Sequence, residues 1–325
     1  MSKESKDTSG VINRATGLLI IEVINSNPNG DPDRESDPRQ RDVDQKGEIS
    51  PVSFKRKIRD LIDDKDGPVW IDTSEKFNPA LDPNKFEIFE KRYRDRDLIT
   101  EELRNDDGKV FKGKYWDGRI FGNTFLEKEE NEKDESKGVA SKSKKGDKKE
   151  KKDNLQKKSI KTGVVQFGLG ISVAPIRVQR LSTTSKAGVE KGKDQGMAPL
   201  GYRIVEHGIY CLPYFVNSSA AGATDCKKDD IDLLLKVIPY AYTQTASYIR
   251  SQVEIIHAWH IEHKSRLGSC SDFDLIKALT PWKTEDSKNE KPSSSRTEYT
   301  IPTEKDVPET LREKILSIRD LMKEI

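Results

Sequence analysis

The strongest apolar run in the chain, GLLIIEVI from Gly17 to Ile24, is short, rich in β-branched residues and bounded by Gly17 and Asn27-Pro28. This pattern predicts a buried strand. A loop rich in Pro, Asn and Asp follows, within EVINSNPNGDPDRESDPRQRD from Glu22 to Asp42, where Asn27-Pro28, Asn29-Gly30, Asp31-Pro32 and Asp37-Pro38 are turn formers. The loop hangs from the end of a core strand and is costly to order, which points to a use for it. Next, SPVSFKRKIRDLIDD places Phe54, Ile58, Leu61 and Ile62 on one helical face, with Ser50 as cap and Pro51 in the first turn. Arg56 and Arg59 fall opposite that stripe and Lys55 and Lys57 flank it, so the helix presents either a solvated surface or a basic binding face.

From 65 to 126 the pattern is irregular, broken by Gly67-Pro68, Asn78-Pro79 and Asp82-Pro83, and only NKFEIFEKRYRDRDLITEELR looks helical. This stretch is a poor core and a good insertion. Residues 127–159 are almost wholly Lys, Glu, Asp, Ser and Gly, a composition that predicts disorder. KTGVVQFGLGISVAPIRVQRL and LGYRIVEHGIYCLPYFVN then read as extended segments, joined by the basic, Gly-rich STTSKAGVEKGKDQGMAP, together a protruding hairpin. DDIDLLLKVIPYAYTQTASYIRSQ predicts a long helix kinked at Pro239, and VEIIHAWHIEH a strand. The polar tail 284–325 ends in a predicted helix around Glu309 to Lys323, with Leu311, Ile315, Ile318 and Leu321 or Met322 on one face. The fold class is α+β. The order of elements suits a ferredoxin-like β-α-β-β-α-β core made from 17–64 and 160–283.

Composition narrows this picture. A 33% hydrophobic fraction in 325 residues leaves part of the chain outside any core. Its 58 basic and 56 acidic side chains nearly cancel, so a basic function must come from local clustering. Three cysteines without C-x-x-C pairing (Cys211, Cys226, Cys270) suggest a reducing compartment. The polar first ten residues and the absence of a long apolar stretch favour a cytoplasmic protein.

No nucleotide-binding loop, serine-hydrolase elbow or His-Glu-x-x-His helix is present. Asp31, Asp33, Glu35 and Asp37 alternate like a calcium loop, but Ser36 stands where the tight turn needs Gly, and Pro32 stiffens its start. A carboxylate-held nuclease metal at Asp31 or Asp33 stays open. On a strand His260 points away from His257 and His263, which disfavours a three-histidine site. The chain is expected to use no cofactor or metal and to have no catalytic residues.

NSNPNGDPD, Pro38-Arg39, FKRKIRDLI, YWDGRIFG, KTGVVQFGLGIS, GMAPLGYRIVEHGIYCLPYFVN and HIEHKSRLG occur in this order from Gly17 to about Gly268. In these residues the chain resembles the crRNA-coating backbone subunit of type I CRISPR interference complexes (Cascade), of the RAMP superfamily. It is most similar to the subtype I-C version, with I-B next. The resemblance implies an RRM-like palm, a finger-like insertion over 65–126 and a thumb-like β-hairpin over 172–204. It implies further that copies stack along the guide RNA and that each thumb kinks it. Carried over by position, the RNA-binding residues would be Asn27, Asn29, Lys55, Arg56, Arg59, Arg119, Gln166, Arg177 and Arg180, with Met197 as a wedge. Implied partners are crRNA, target DNA through the guide, further copies of the chain, and the end-capping, large and small Cascade subunits. Two alternatives are a metal-dependent RNase of the type III backbone kind, using a loop aspartate, and a stand-alone RNA-binding domain.

Overall fold

Strand β1 (Ala15–Ser26) is buried along almost its whole length, as a continuous apolar run must be when both faces of its sheet are covered. In this computed structural model, which describes residues 11–95, 98, 109–122, 162–185, 198–284 and 289–325, the further strands are β2 (Gly30–Asp31), β3 (Asp37–Pro38), β4 (Lys46–Ile49), β5 (Val165–Phe167), β6 (Gly170–Pro175), β7 (Val178–Ser185), β8 (Ala198–Val216), β9 (Val253–His263), β10 (Trp282–Lys283), β11 (Tyr299–Thr300) and β12 (Ile315–Asp320). The helices are α1 (Pro51–Asp63), α2 (Pro68–Ser74), α3 (Lys109–Lys114), α4 (Trp116–Phe121), α5 (Ala221–Thr224), α6 (Lys228–Val237), α7 (Asp272–Leu279) and α8 (Glu309–Arg312). Among the described residues no helix is long and apolar enough to cross a membrane.

The main sheet runs β12-β9-β1-β8-β6-β4, with β5 and β7 also paired to β8. Its central pairings, β1 with β8 and with β9, are antiparallel. Leu18 and Ile20 of β1 join Trp259 and Ile261 of β9 and Leu275 and Leu279 of α7 in one apolar cluster. Gly17 is required where it stands, because a Cβ there would fall 1.9 Å from the Tyr214 ring. Ser50 caps α1 as expected, its Oγ accepting from Ser53 N at 3.2 Å.

Contacts divide the described residues into two units, one drawn from 1–12, 62–165 and 218–233, the other from 13–61, 166–217 and 234–325. The second carries the sheet. The first has a core of its own, contrary to the expectation for 65–126: Phe89 packs edge-on against Phe111 and Tyr115 at centroid distances of 4.9 and 5.3 Å, and Trp116 against Phe121 at 5.4 Å. Aromatic area concentrated in few positions does there what a periodic stripe does elsewhere.

Three sequence expectations change. Within 309–323, α-helix is confined to the four-residue α8, residues 315–320 form β12 at the sheet edge against β9, and Leu321–Lys323 form a 3-10 turn. A strand edge offers backbone partners that a short apolar stripe cannot outweigh. The helix expected to run past Pro239 ends at Val237 and gives way to 3-10 turns at Ile238–Tyr240, Thr243–Thr245 and Tyr248–Arg250. Of the helix expected over 84–104, the described part opens with a 3-10 turn at Pro83–Lys85 followed by the buried Phe86, Ile88 and Phe89, and 96–97 and 99–104 lie outside the described residues. The stretch 127–159 lies outside the described residues.

Candidate nucleic-acid interface

The loop after β1 is built from its own asparagines. Asn27 Nδ2 donates to Ser36 O at 2.9 Å, Asn29 Nδ2 donates to Gly30 O at 2.9 Å, and Asn29 Oδ1 accepts from Ser50 N at 2.8 Å, tying the loop to the start of α1. Both side chains are buried. They shape the loop, as short polar side chains that satisfy local backbone do in such turns.

On α1 the structure also redistributes the basic residues. Arg59 is only 4% exposed and Lys57 is buried, its Nζ donating to Thr245 Oγ1 at 2.9 Å and lying 4.9 Å from the Tyr242 ring centroid. Positions 54, 57, 58, 59, 61 and 62 are all buried, an arc much wider than the apolar stripe, so Arg59 cannot present an open phosphate contact. Arg56 is half-buried and pairs with Asp60 at 3.6 Å, and Lys55 is half-buried.

Strands β7 and β8 form the expected hairpin arms, in register from Val178↔Val205 to Ser185↔Ala198. Its apex, including Met197, lies outside the described residues. Near its base Arg177 pairs with Glu206 at 3.0 Å and Arg180 with Asp37 at 3.2 Å; both arginines stay largely exposed. Arg203 reaches Glu35 at 2.5 Å and Asp37 at 2.8 Å, and holds the Glu35 carboxyl below its ordinary pKa. The fourth arginine, Arg39, pairs with Asp31 at 3.5 Å. Asp31, Glu35 and Asp37 therefore serve as counter-ions for arginines. Among the described residues no three His, Cys, Asp or Glu side chains gather as a metal site.

Beside this loop runs a segment that sequence reasoning assigned to a helix. Asn27 N donates to Ile249 O at 2.7 Å, Ile24 N to Gln252 O at 2.9 Å and Arg250 Nε to Asn27 O at 3.0 Å. Tyr248 and Arg250 are thereby brought beside Tyr202 and the hairpin. The one signal in the sequence was the run TQTAS, which lacks large apolar residues at helical spacing. Gln166 is exposed on β5.

Arg119 belongs elsewhere. It is buried in the other unit, with Nε and Nη2 on the Asp230 carboxylate at 3.0 and 2.7 Å, Nη1 on Lys112 O and Nη2 also on Lys85 O. Its donors are occupied and no face is open to RNA. The structure thus places Arg119 in a buried ion pair with Asp230 inside an aromatic core.

The profile of the family described as CRISPR-associated protein Cas7 matches residues 13–304. The chain belongs to the Cas7 family. The Cas7 match takes in β1, the Asn/Pro/Asp loop, α1, the hairpin arms and β9, and stops before β12. No curated protein is significantly similar to the chain in sequence. Among solved structures, a chain of a pre-nicking CRISPR RNA-guided surveillance complex matches with a TM-score of 0.44 at 12% identity, over 77% of this chain and 78% of that one. A second CRISPR RNA-guided surveillance complex gives 0.34 at 11% identity, over 76% and 69%. The type III-B Cmr-beta complex bound to cognate target RNA gives 0.34 at 10% identity, over 77% and 61%.

Proposed function

We propose that this Cas7-family chain is the crRNA-binding backbone subunit of a type I CRISPR interference complex, nearest to subtype I-C with I-B next, and that it binds its guide without cutting it. The observation that carries this reading is the family match over 13–304, which spans the β1 loop and both hairpin arms. The sheet supports it. Strands β1, β6, β8 and β9, joined through α1 and α6, lie in the order β9-β1-β8-β6, the arrangement of a ferredoxin-like, RRM-like palm. The β7–β8 hairpin is the thumb and the aromatic unit corresponds to the fingers. Copies polymerise along the guide in the cytoplasm, present it to target DNA, and join the end-capping, large and small subunits.

A subunit that accepts any guide must hold phosphates and base faces, not base edges. Cations still exposed at the hairpin base, Arg177 and Arg180, fit that need. The type III RNase alternative requires a loop aspartate that can hold a metal, Asp31 or Asp33; Asp31 pairs with Arg39 at 3.5 Å, which weighs against it as a metal ligand, while Asp33 is exposed and is left to the cleavage assay. The test is incubation of labelled guide and complementary RNA with the protein in Mg²⁺ or Mn²⁺. Binding without cleavage is expected, and cleavage lost on Asp31→Ala would move the assignment to the RNase.

A further inference from the structure

Next to the loop after β1 an aromatic pair stands open to solvent. Tyr248 is 75% exposed, and its ring meets that of Tyr202 on β8 edge-to-face, centroids 5.4 Å apart and planes at 73°. An edge-to-face pair covers at most one face of one ring, so flat aromatic surface remains uncovered. The support beneath it is rigid: the 249–252 backbone is bonded to Ile24, Ser26 and Asn27 through Ile249 O, Gln252 O and Gln252 N. Two residues on, Arg250 Nε holds Asn27 O at 3.0 Å. Among the described residues the rest of that guanidinium makes no other hydrogen bond and no ion pair, and the side chain is half-exposed. It differs in this from Arg180 and Arg203, which spend their charge on Asp37.

We propose that Tyr248, braced by Tyr202, is a stacking platform for an unpaired nucleobase of a bound RNA strand, with Arg250 meeting a neighbouring phosphate. This rests on the RNA-binding reading above and adds to it a specific base contact. Every base has a π-face, so such a platform tolerates any sequence. A preset aromatic pair on a bonded shelf gives up little conformational freedom when a base arrives. A guanidinium beside it, with no counter-ion among the described residues, supplies the charge that a strand needs and an apolar protein partner does not.

The test compares wild type, Tyr248→Ala and Tyr248→Phe on a 40-nucleotide single-stranded RNA and on the same strand carrying abasic riboses throughout, each across a salt series. Tyr248 is exposed, so the fold should be unaffected, and circular dichroism spectra establish that. The expected result is a loss of about 5- to 100-fold in affinity for the normal strand in Tyr248→Ala. Tyr248→Phe should keep the affinity, the salt slope should not change, and the three proteins should bind the abasic strand alike. Equal affinity of wild type and Tyr248→Ala for the normal strand overturns the platform. So does an equal loss on both strands. A variant that keeps its RNA affinity but changes the oligomeric state of the RNA-free protein overturns it in favour of a contact between protein chains. Failure of the wild type to bind either strand overturns the RNA-binding reading itself.

Discussion

Arg180 and Arg203 face each other directly across the β7–β8 pair, and both ion-pair with Asp37 of the loop after β1, at 3.2 and 2.8 Å. Like charges opposite each other in a sheet repel, so the pair needs an anion between them. Asp37 supplies it, and in doing so fastens the loop to the base of the hairpin. The acidic loop that follows the first strand is thus explained by the hairpin it anchors.

Asp37→Ala should therefore lower stability by about 1–2 kcal/mol, since it leaves two facing cations without their counter-ion. Combined with Arg203→Ala the losses should not add, with a coupling of roughly 0.5–3 kcal/mol. Urea unfolding of the single and double variants measures this. Additive losses would mean that the two side chains act independently.

In the aromatic unit, Asp230→Ala should cost about 3–5 kcal/mol, because it leaves Arg119 charged and buried without a partner. Side-chain exposures of 6% for Arg119 and 2% for Asp230 leave little room for water to compensate. Trp116 Nε1 donates to Asp230 O at 3.1 Å, so tryptophan fluorescence reports the loss. RNA affinity of whatever folded protein remains should equal that of wild type. A specific loss of affinity with unchanged stability would return Arg119 to the RNA-binding set.

The two arginines of α1 should behave differently. Arg56→Ala should reduce the salt slope of single-stranded RNA binding by about 0.7, the value for one phosphate contact. Arg59→Ala should leave the slope alone and lower the melting temperature, as removal of a buried, partnered side chain does. Binding isotherms at four salt concentrations, with parallel melts, separate the two effects.

Stability should fall on mild acidification. Burial pushes the His207 and His263 imidazoles below their ordinary pKa, although Glu22 and Asp272 pull them upward. Their folded values thus lie below the unfolded value of about 6.5, and the unfolded chain binds more protons in between. This contribution is fully present above about pH 6.5 and is lost as pH falls through the folded values. His207 Nδ1 lies 2.7 Å from Ser293 Oγ and its Nε2 3.3 Å from Glu22 Oε1, so protonation disturbs the joint between the sheet and the tail. Melting temperatures at pH 7.5 and 5.5 should differ more for wild type than for His207→Asn. Equal differences would remove His207 from the account.

Strand β1, the cap and apolar face of α1, the hairpin arms and β9 were legible in the sequence because each is fixed by local pattern and turn chemistry. Strand β12 was not, since its assignment depends on the open edge of β9, which lies far away in the chain. For the same reason the burial of Arg59 and Arg119 was hidden: a helical wheel gives the side a residue faces but not what covers it. The loop-building bonds of Asn27 and Asn29 were not legible, because a turn-building asparagine and a ligand-binding one look alike until their partners are known. Tyr248 and Arg250 were obscured by a helical pattern that Pro239 and the turns after it terminate.

The central claim, that this chain coats a guide RNA in repeated copies without reading its sequence, is tested most directly by native mass spectrometry of complexes assembled on single-stranded RNAs of several lengths and two unrelated sequences. The number of bound copies should rise in proportion to RNA length and be the same for both sequences. A single copy bound whatever the length, or assembly on only one of the two sequences, would contradict it.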